Sequence, residues 1–305
     1  MSTVANPEID ASVELAPETP TSSSFDYQRI LRSPAFIPGV LLFVGMFLAY
    51  LPLMTSLWDL WTSGDGYYSH GLLVPPIMGY IIVRRWPQIS AIKVKPAWIA
   101  LIPVLVLTYI GYRAGIAGIN LIMAACLVGT LIFGTAFVAG WRWMLATLPA
   151  TLYSVFALPF WSQAIDAYTN PLQQLSSKVA YQLLRISGFG PYMSPSDPTT
   201  ISLNNFQLNV AVPCSGLKLV LALTAFVVFF VLIARLKVWA NTILLLSILP
   251  MALLFNGLRI ALIGVVGEMQ GEAAAMQFHD YSGFLTLAIC FFALFKFAKA
   301  LGWKD

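Results

Sequence analysis

The sequence predicts an all-α integral membrane protein of about eight transmembrane helices, with an interfacial helix and a small β-hairpin on its outer face. Three observations carry that expectation. Hydrophobic residues make up 59% of the chain and charged residues 10%, whereas a soluble domain carries roughly 25% charged residues. Apolar runs long enough to cross a bilayer recur through most of the chain. Lys and Arg, which give a formal net charge of +4, gather in short segments flanking those runs. Positive charge placed that way fixes orientation in a membrane and argues against a nucleic-acid partner.

Residues 1–35 are rich in Ser, Thr, Pro and Glu and have no periodic apolar face. A disordered cytoplasmic tail is expected there, ahead of one multi-span domain over residues 36–305. The first apolar run begins at Phe36 without a cleavage pattern, so no signal peptide is expected. That first crossing covers about residues 36–57. A wet loop runs from Asp59 to Gly71. The second crossing, about residues 70–84, is short and contains Pro75-Pro76, which predicts a kink. Further crossings are expected at about 97–113, 116–139 and 143–160.

Residues 161–213 form the longest polar stretch between crossings. From Ser162 to Ser187, apolar residues recur at helical spacing with an interruption at Asn170-Pro171, which predicts one or two amphipathic interfacial helices. From Ile201 to Val212, apolar and polar residues largely alternate around Asn204-Asn205, which predicts a β-hairpin over about residues 199–212. Three apolar stretches follow, at about 216–234, 238–267 and 282–298, the middle one bent near Pro250 and Gly257.

Loop charge then sets orientation. Arg84, Arg85, Lys93 and Lys95 mark one loop as cytoplasmic. Counting crossings from it puts Arg29/Arg32, Arg142, Arg235/Lys237 and Lys296/Lys299/Lys304 on that same side, with both termini inside. The loop before His70, the segment 161–213, Cys214, Arg259 and His279 then share the outer face. No chemistry enters that grouping.

Three cysteines occur in the chain. Cys126 and Cys290 lie within apolar segments, where a thiol is a small hydrophobe. Cys214 lies at a boundary between the hairpin and a helix, where the positive end of the backbone dipole favours thiolate. It is either a small residue beside a capping Ser215 or a nucleophile. Arg259 is a cation on the outer side of an apolar stretch, which makes it a functional candidate. Asn256, one turn back, shares its helix face and is placed to hold the guanidinium or to donate to a substrate carbonyl. Of the two histidines, His279 with Asp280 beside it is the candidate general base, before the last crossing. His70 competes for that role, orients substrate or packs the site entrance. Tyr67, Tyr68, Trp58, Trp61, Trp161 and Tyr192 read equally as an interfacial aromatic belt. Glu268, Glu272 and Asp280 read as solvated loop charges or as partners of His279. Histidines this few argue against a metal site.

Tyr68-Ser69-His70-Gly71 in the first outer loop, Cys214-Ser215-Gly216 at the start of a crossing, Asn256-x-x-Arg259 near the end of the next, and His279 before the last resemble the exosortase/archaeosortase family. The resemblance covers nearly the whole chain after the tail. It implies a catalytic set of Cys214, Arg259 and His279, no cofactor, and a place in the bacterial inner membrane. The implied substrates are secreted, membrane-anchored proteins with a C-terminal sorting signal: a Pro-Glu-Pro-like (PEP-CTERM) motif, a transmembrane helix and a basic cluster. It also implies a link to exopolysaccharide and biofilm export. Two other classes stay open on the residues alone: a transporter of polysaccharide precursors and a membrane glycan polymerase, neither of which needs the thiol.

Overall fold

A computed structural model describes residues 32, 36–63, 66–234 and 236–303. The tail expected over residues 1–35 lies outside them except for Arg32, as do Arg235 and Lys304. The described residues are mostly helical. Helix α1 (Phe36–Ala49) and helix α2 (Leu51–Thr62) meet at a 67° bend. Pro52 lies just beyond that bend, where a helix start tolerates its missing N–H. Tyr50 sits in the bend, 1% exposed, with its hydroxyl 3.0 Å from Thr130 Oγ1. Helices α3 (Val74–Arg84) and α4 (Trp86–Ser90) follow, then α5 (Leu101–Ile116), α6 (Asn120–Ala139) and α7 (Trp141–Tyr153).

Helix α8 (Ser162–Ile186) leads to strands β1 (Tyr192–Ser194), β2 (Asp197–Ser202) and β3 (Gln207–Asn209), paired antiparallel in that order. Helices α9 (Leu217–Ile233), α10 (Val238–Leu246), α11 (Ile248–Gln270) and α12 (Glu272–Ala300) complete the fold.

Among the described residues, five helical segments are long and apolar enough to cross a membrane: Trp98–Ile116, Asn120–Ala139, Val212–Ile233, Val238–Gln270 and Glu272–Ala300. Two bent pairs, Phe36–Thr62 and Trp141–Ile186, raise that to seven if each is one span. The expected eighth, at about 70–84, is where the count differs. Its helix, Val74–Arg84, opens on two prolines and is about 16 Å long at 1.5 Å per residue, against a hydrocarbon core of about 30 Å.

Of the one or two helices expected over Ser162–Ser187 the structure has one, and helix α8 runs unbroken through Pro171. One face of it buries Leu172, Ser176, Ala180 and Leu184, and such packing overrides local propensity. The hairpin gains a third strand, because Tyr192–Ser194 folds back onto β2; three residues between Pro191 and Pro195 leave no alternation to read. The last helix starts at Glu272, about ten residues earlier than its apolar stretch. His279 therefore lies inside a helix, and no loop precedes the last crossing there. Polar residues in that helix hide its start from a hydropathy reading.

Helices α8 and α11 approach closely. A Cβ on Gly257 would meet Val179 Cγ1, so only glycine permits this contact. The sheet packs on the same pair, with Ile201, Leu208 and Val210 buried beside Ala180, Leu184, Ile260 and Cys214.

Candidate active site

Cys214 reaches its position through a chain of local constraints. After β3 the backbone makes a short 3₁₀ turn, Val212–Cys214, in which Cys214 N–H donates to the Ala211 carbonyl at 2.9 Å. Gly216 follows with φ +88°, a left-handed conformation that glycine adopts without steric cost. It is needed twice, since a Cβ there would also lie 2.9 Å from Asn256 Nδ2. That Nδ2 donates to the Cys214 carbonyl at 2.8 Å. Ser176 Oγ, on α8, donates to the Ser215 carbonyl at 3.0 Å. Gln173 Nε2 donates to the Val210 carbonyl at 2.5 Å. Three buried side chains thus hold the backbone around one cysteine.

Cys214 ends the 3₁₀ turn immediately ahead of helix α9, which begins at Leu217. Ser215 takes the capping work, its hydroxyl accepting the Leu217 N–H at 3.3 Å. The groups facing the sulfur are side chains from α11 and α12.

Those side chains converge. His279 Nε2 lies 2.9 Å from Cys214 Sγ, across 65 residues of sequence. Its Nδ1 lies 3.3 Å from Asp280 Oδ1. That contact assigns the ring proton to Nδ1 and leaves Nε2 to accept the thiol proton. Arg259 Nη1 lies 4.0 Å from the same sulfur. The guanidinium is fixed from behind: Nε donates to Ser282 Oγ at 3.0 Å and Nη2 to the His279 carbonyl at 3.2 Å. Ser282 Oγ in turn donates to that carbonyl at 3.1 Å.

Cys214 is 5% exposed and Ser282 4%, while the His279 side chain is 32% exposed. The thiol is sheltered and the imidazole opens to solvent. A sheltered site of low dielectric strengthens each of these interactions. The arrangement can deprotonate a thiol, stabilise negative charge beside the sulfur and return a proton to a leaving group.

Asn256 holds the Cys214 backbone rather than the guanidinium. Asp280 touches His279. Glu268 is engaged elsewhere, its two oxygens accepting from Asn205 N–H and Nδ2 at 2.9 and 3.0 Å, which pins the hairpin tip to α11. Glu272 opens α12, where its charge suits the helix dipole.

His70 stands apart. It is 9% exposed, stacks on Tyr68 at 6.4 Å, and neither ring nitrogen has a hydrogen-bond partner among the described residues. Tyr68 is buried, with its hydroxyl accepting the Trp161 N–H at 3.1 Å, so it is core and no part of an aromatic belt. Trp58 and Tyr192 are exposed, at 59% and 64%.

Ser282, Gln173 and Ser176 escape a sequence reading. The last two sit with Ser177 among the buried residues of α8, where buried polar side chains signal something to hold. Ser282 is one helical turn from His279, a relation visible only once the segment is known to be helix.

A model of the family described as transmembrane exosortase matches residues 60–296. No curated protein and no solved structure matches the chain.

Proposed function

Because this chain belongs to the transmembrane exosortase family, we propose that it is a membrane-embedded cysteine peptidase or transpeptidase. It cleaves the C-terminal, PEP-CTERM-like sorting signal of secreted proteins, within a surface-export system linked to exopolysaccharide and biofilm. The site faces the periplasm or exterior, and the catalytic set is Cys214, Arg259 and His279; both termini are cytoplasmic when the short helix Val74–Arg84 is counted as an eighth crossing. The observation that carries this reading is the 2.9 Å approach of Cys214 Sγ to His279 Nε2, with the Arg259 guanidinium on the same sulfur.

The substrate presents its scissile carbonyl to Sγ. As the S–C bond forms, the thiol proton passes to His279 Nε2, and Asp280 supports the imidazolium through Nδ1–H. Negative charge develops on the carbonyl oxygen. Arg259 Nη1, held off the sulfur at 4.0 Å, faces the region where that oxygen arrives. The C–N bond then breaks, and the leaving amine takes the proton from Nε2. Water or an acceptor amine attacks the thioester, gives its proton to His279, and the C–S bond breaks to restore the enzyme.

Co-expression with a membrane-anchored sorting-signal protein tests the reading. The native chain and its Cys126→Ala and Cys290→Ala variants should shorten the substrate, and Cys214→Ala should not. A transporter or glycan polymerase tolerates loss of the thiol, so full processing by inserted Cys214→Ala protein would overturn the peptidase reading.

A further inference from the structure

One edge of the small sheet is open, and its direction is informative. Val210 N–H donates to the Thr199 carbonyl at 3.0 Å and Leu203 N–H to the Phe206 carbonyl at 2.8 Å, with Ile201 opposite Leu208 between them. Antiparallel ladder bonds fall on alternate residues. The N–H and C=O groups of Gln207 and Asn209 therefore point away from β2. They make no backbone hydrogen bond outside the sheet among the described residues, and both side chains are exposed while Leu208 between them is buried.

This edge is rigidly held. Glu268 grips the hairpin tip, Gln173 holds Val210, and a Cβ on Gly267 would collide with the Phe206 ring. A pre-ordered edge loses little freedom when a strand adds to it.

Helix α11 serves as a ruler for direction. Asn205 sits on Glu268, Phe206 against Gly267 and Leu208 against Gly264, while Cys214 and Gly216 sit against Asn256. From Glu268 to Asn256 the helix descends about 18 Å. The chain from Asn205 to Cys214 thus runs from the far end of α11 toward the interior. On the orientation given by loop charge, that is from outside toward the membrane.

We propose that the outward edge of Gln207–Asn209 receives the substrate itself, as a parallel strand, in a mode that rests on the peptidase reading above. A secreted protein anchored by a C-terminal helix also runs from outside toward the membrane just before that helix. Laid along β3 in the same direction, it arrives at Cys214 without reversing. Main-chain groups of Gln207 and Asn209 hold it by strand addition. Asn209 is five residues before Cys214, and the intervening 3₁₀ turn shortens the reach. The substrate residue beside Asn209 therefore lies about four to five residues before the scissile bond, and the one beside Gln207 about two residues farther upstream.

Disulfide crosslinking tests this. The full chain with Cys126→Ala, Cys214→Ala and Cys290→Ala receives Gln207→Cys or Asn209→Cys. The probe is a membrane-anchored sorting-signal reporter with a single cysteine walked through the residues before its cleavage point. Asn209→Cys should link to positions nearer the reporter's transmembrane helix than Gln207→Cys does. The reverse order, no linkage, or an Asn209→Cys homodimer in place of a mixed disulfide would overturn the proposal. Processing of the same reporter by the native chain separates the two ideas. An unprocessed reporter sinks the peptidase reading, while a processed reporter with the wrong crosslinks sinks only the docking mode.

Discussion

The two histidine neighbourhoods of this protein are built on opposite principles. Around His279, each ring nitrogen faces a partner, Sγ on one side and a carboxylate on the other, and the ring is partly open to solvent. Around His70, the ring is buried, stacked on Tyr68 and unpartnered at both nitrogens. Burial pushes the pKa of His70 below its usual value, opposed by the nearby backbone of Phe156 and Tyr67, neither of which is aligned for a full hydrogen bond. A proton-transfer residue needs a donor, an acceptor and access to solvent, and one neighbourhood has all three. The difference shows that a histidine's chemistry is set by what its ring nitrogens touch, which a one-dimensional reading cannot see.

Removing the His279 ring is the strongest test of that contrast. His279→Ala should lower processing about a hundred- to ten-thousand-fold, the range for a lost general acid–base group, measured as the initial rate of substrate shortening. A fall of less than tenfold would break the comparison.

Next comes Arg259→Lys. Arg presents a planar fork that Ser282 and the His279 carbonyl aim, and Lys is a point charge that neither can aim. The expected loss is about a hundred- to a thousand-fold, as for one oxyanion donor, with Cys214 still labelled by an alkylating probe. Near-normal processing by the Lys variant would leave only simple charge stabilisation.

Ser282→Ala sharpens the picture at smaller scale. It removes one hydrogen bond to the guanidinium, worth about 1.5 kcal/mol or roughly tenfold in rate. The loss should appear in kcat with KM unchanged, and Ser282→Thr should restore it. An unchanged rate in Ser282→Ala would show that the His279 carbonyl alone aims Arg259.

His70→Leu should be the mildest change. Replacing an unpartnered buried polar ring with an apolar side chain is nearly neutral or stabilising, and processing should stay within about twofold. Its effect belongs to pH. The folded ring binds a proton less readily than the unfolded one, so its contribution is intact above the ordinary histidine pKa of about 6.5 and is lost as pH falls below it. The thermal unfolding temperature of the native chain should fall on acidification through that range more than that of His70→Leu. A large loss of processing in His70→Leu would place His70 in the reaction and collapse the contrast.

What the sequence reveals here follows from how local each signal is. Apolar runs announce α6 and α9 because hydropathy accumulates along one stretch of chain. The hairpin announces itself through alternation about Asn204-Asn205. Cys214, Arg259 and His279 stand out because each residue type is costly or rare in its setting. Partnership is another matter. The bond from Asn256 to the Cys214 carbonyl spans 42 residues and that from Ser176 to the Ser215 carbonyl spans 39, distances at which periodicity is silent. The buried state of Tyr68 is equally hidden, because an aromatic beside a polar loop reads alike in a belt and in a core. The extra turns of α12 escape because His279 and Asp280 interrupt the hydropathy on which a helix start is judged.

The span of 65 residues between thiol and imidazole has a consequence in time. A ribosome adds about 5–20 residues per second, so Cys214 is synthesised about 3–13 seconds before His279. On the proposed reading, the nascent chain carries its nucleophile without its base throughout that interval. Docking of α12 is what brings the imidazole to the sulfur, so the proposed activity waits on that helix.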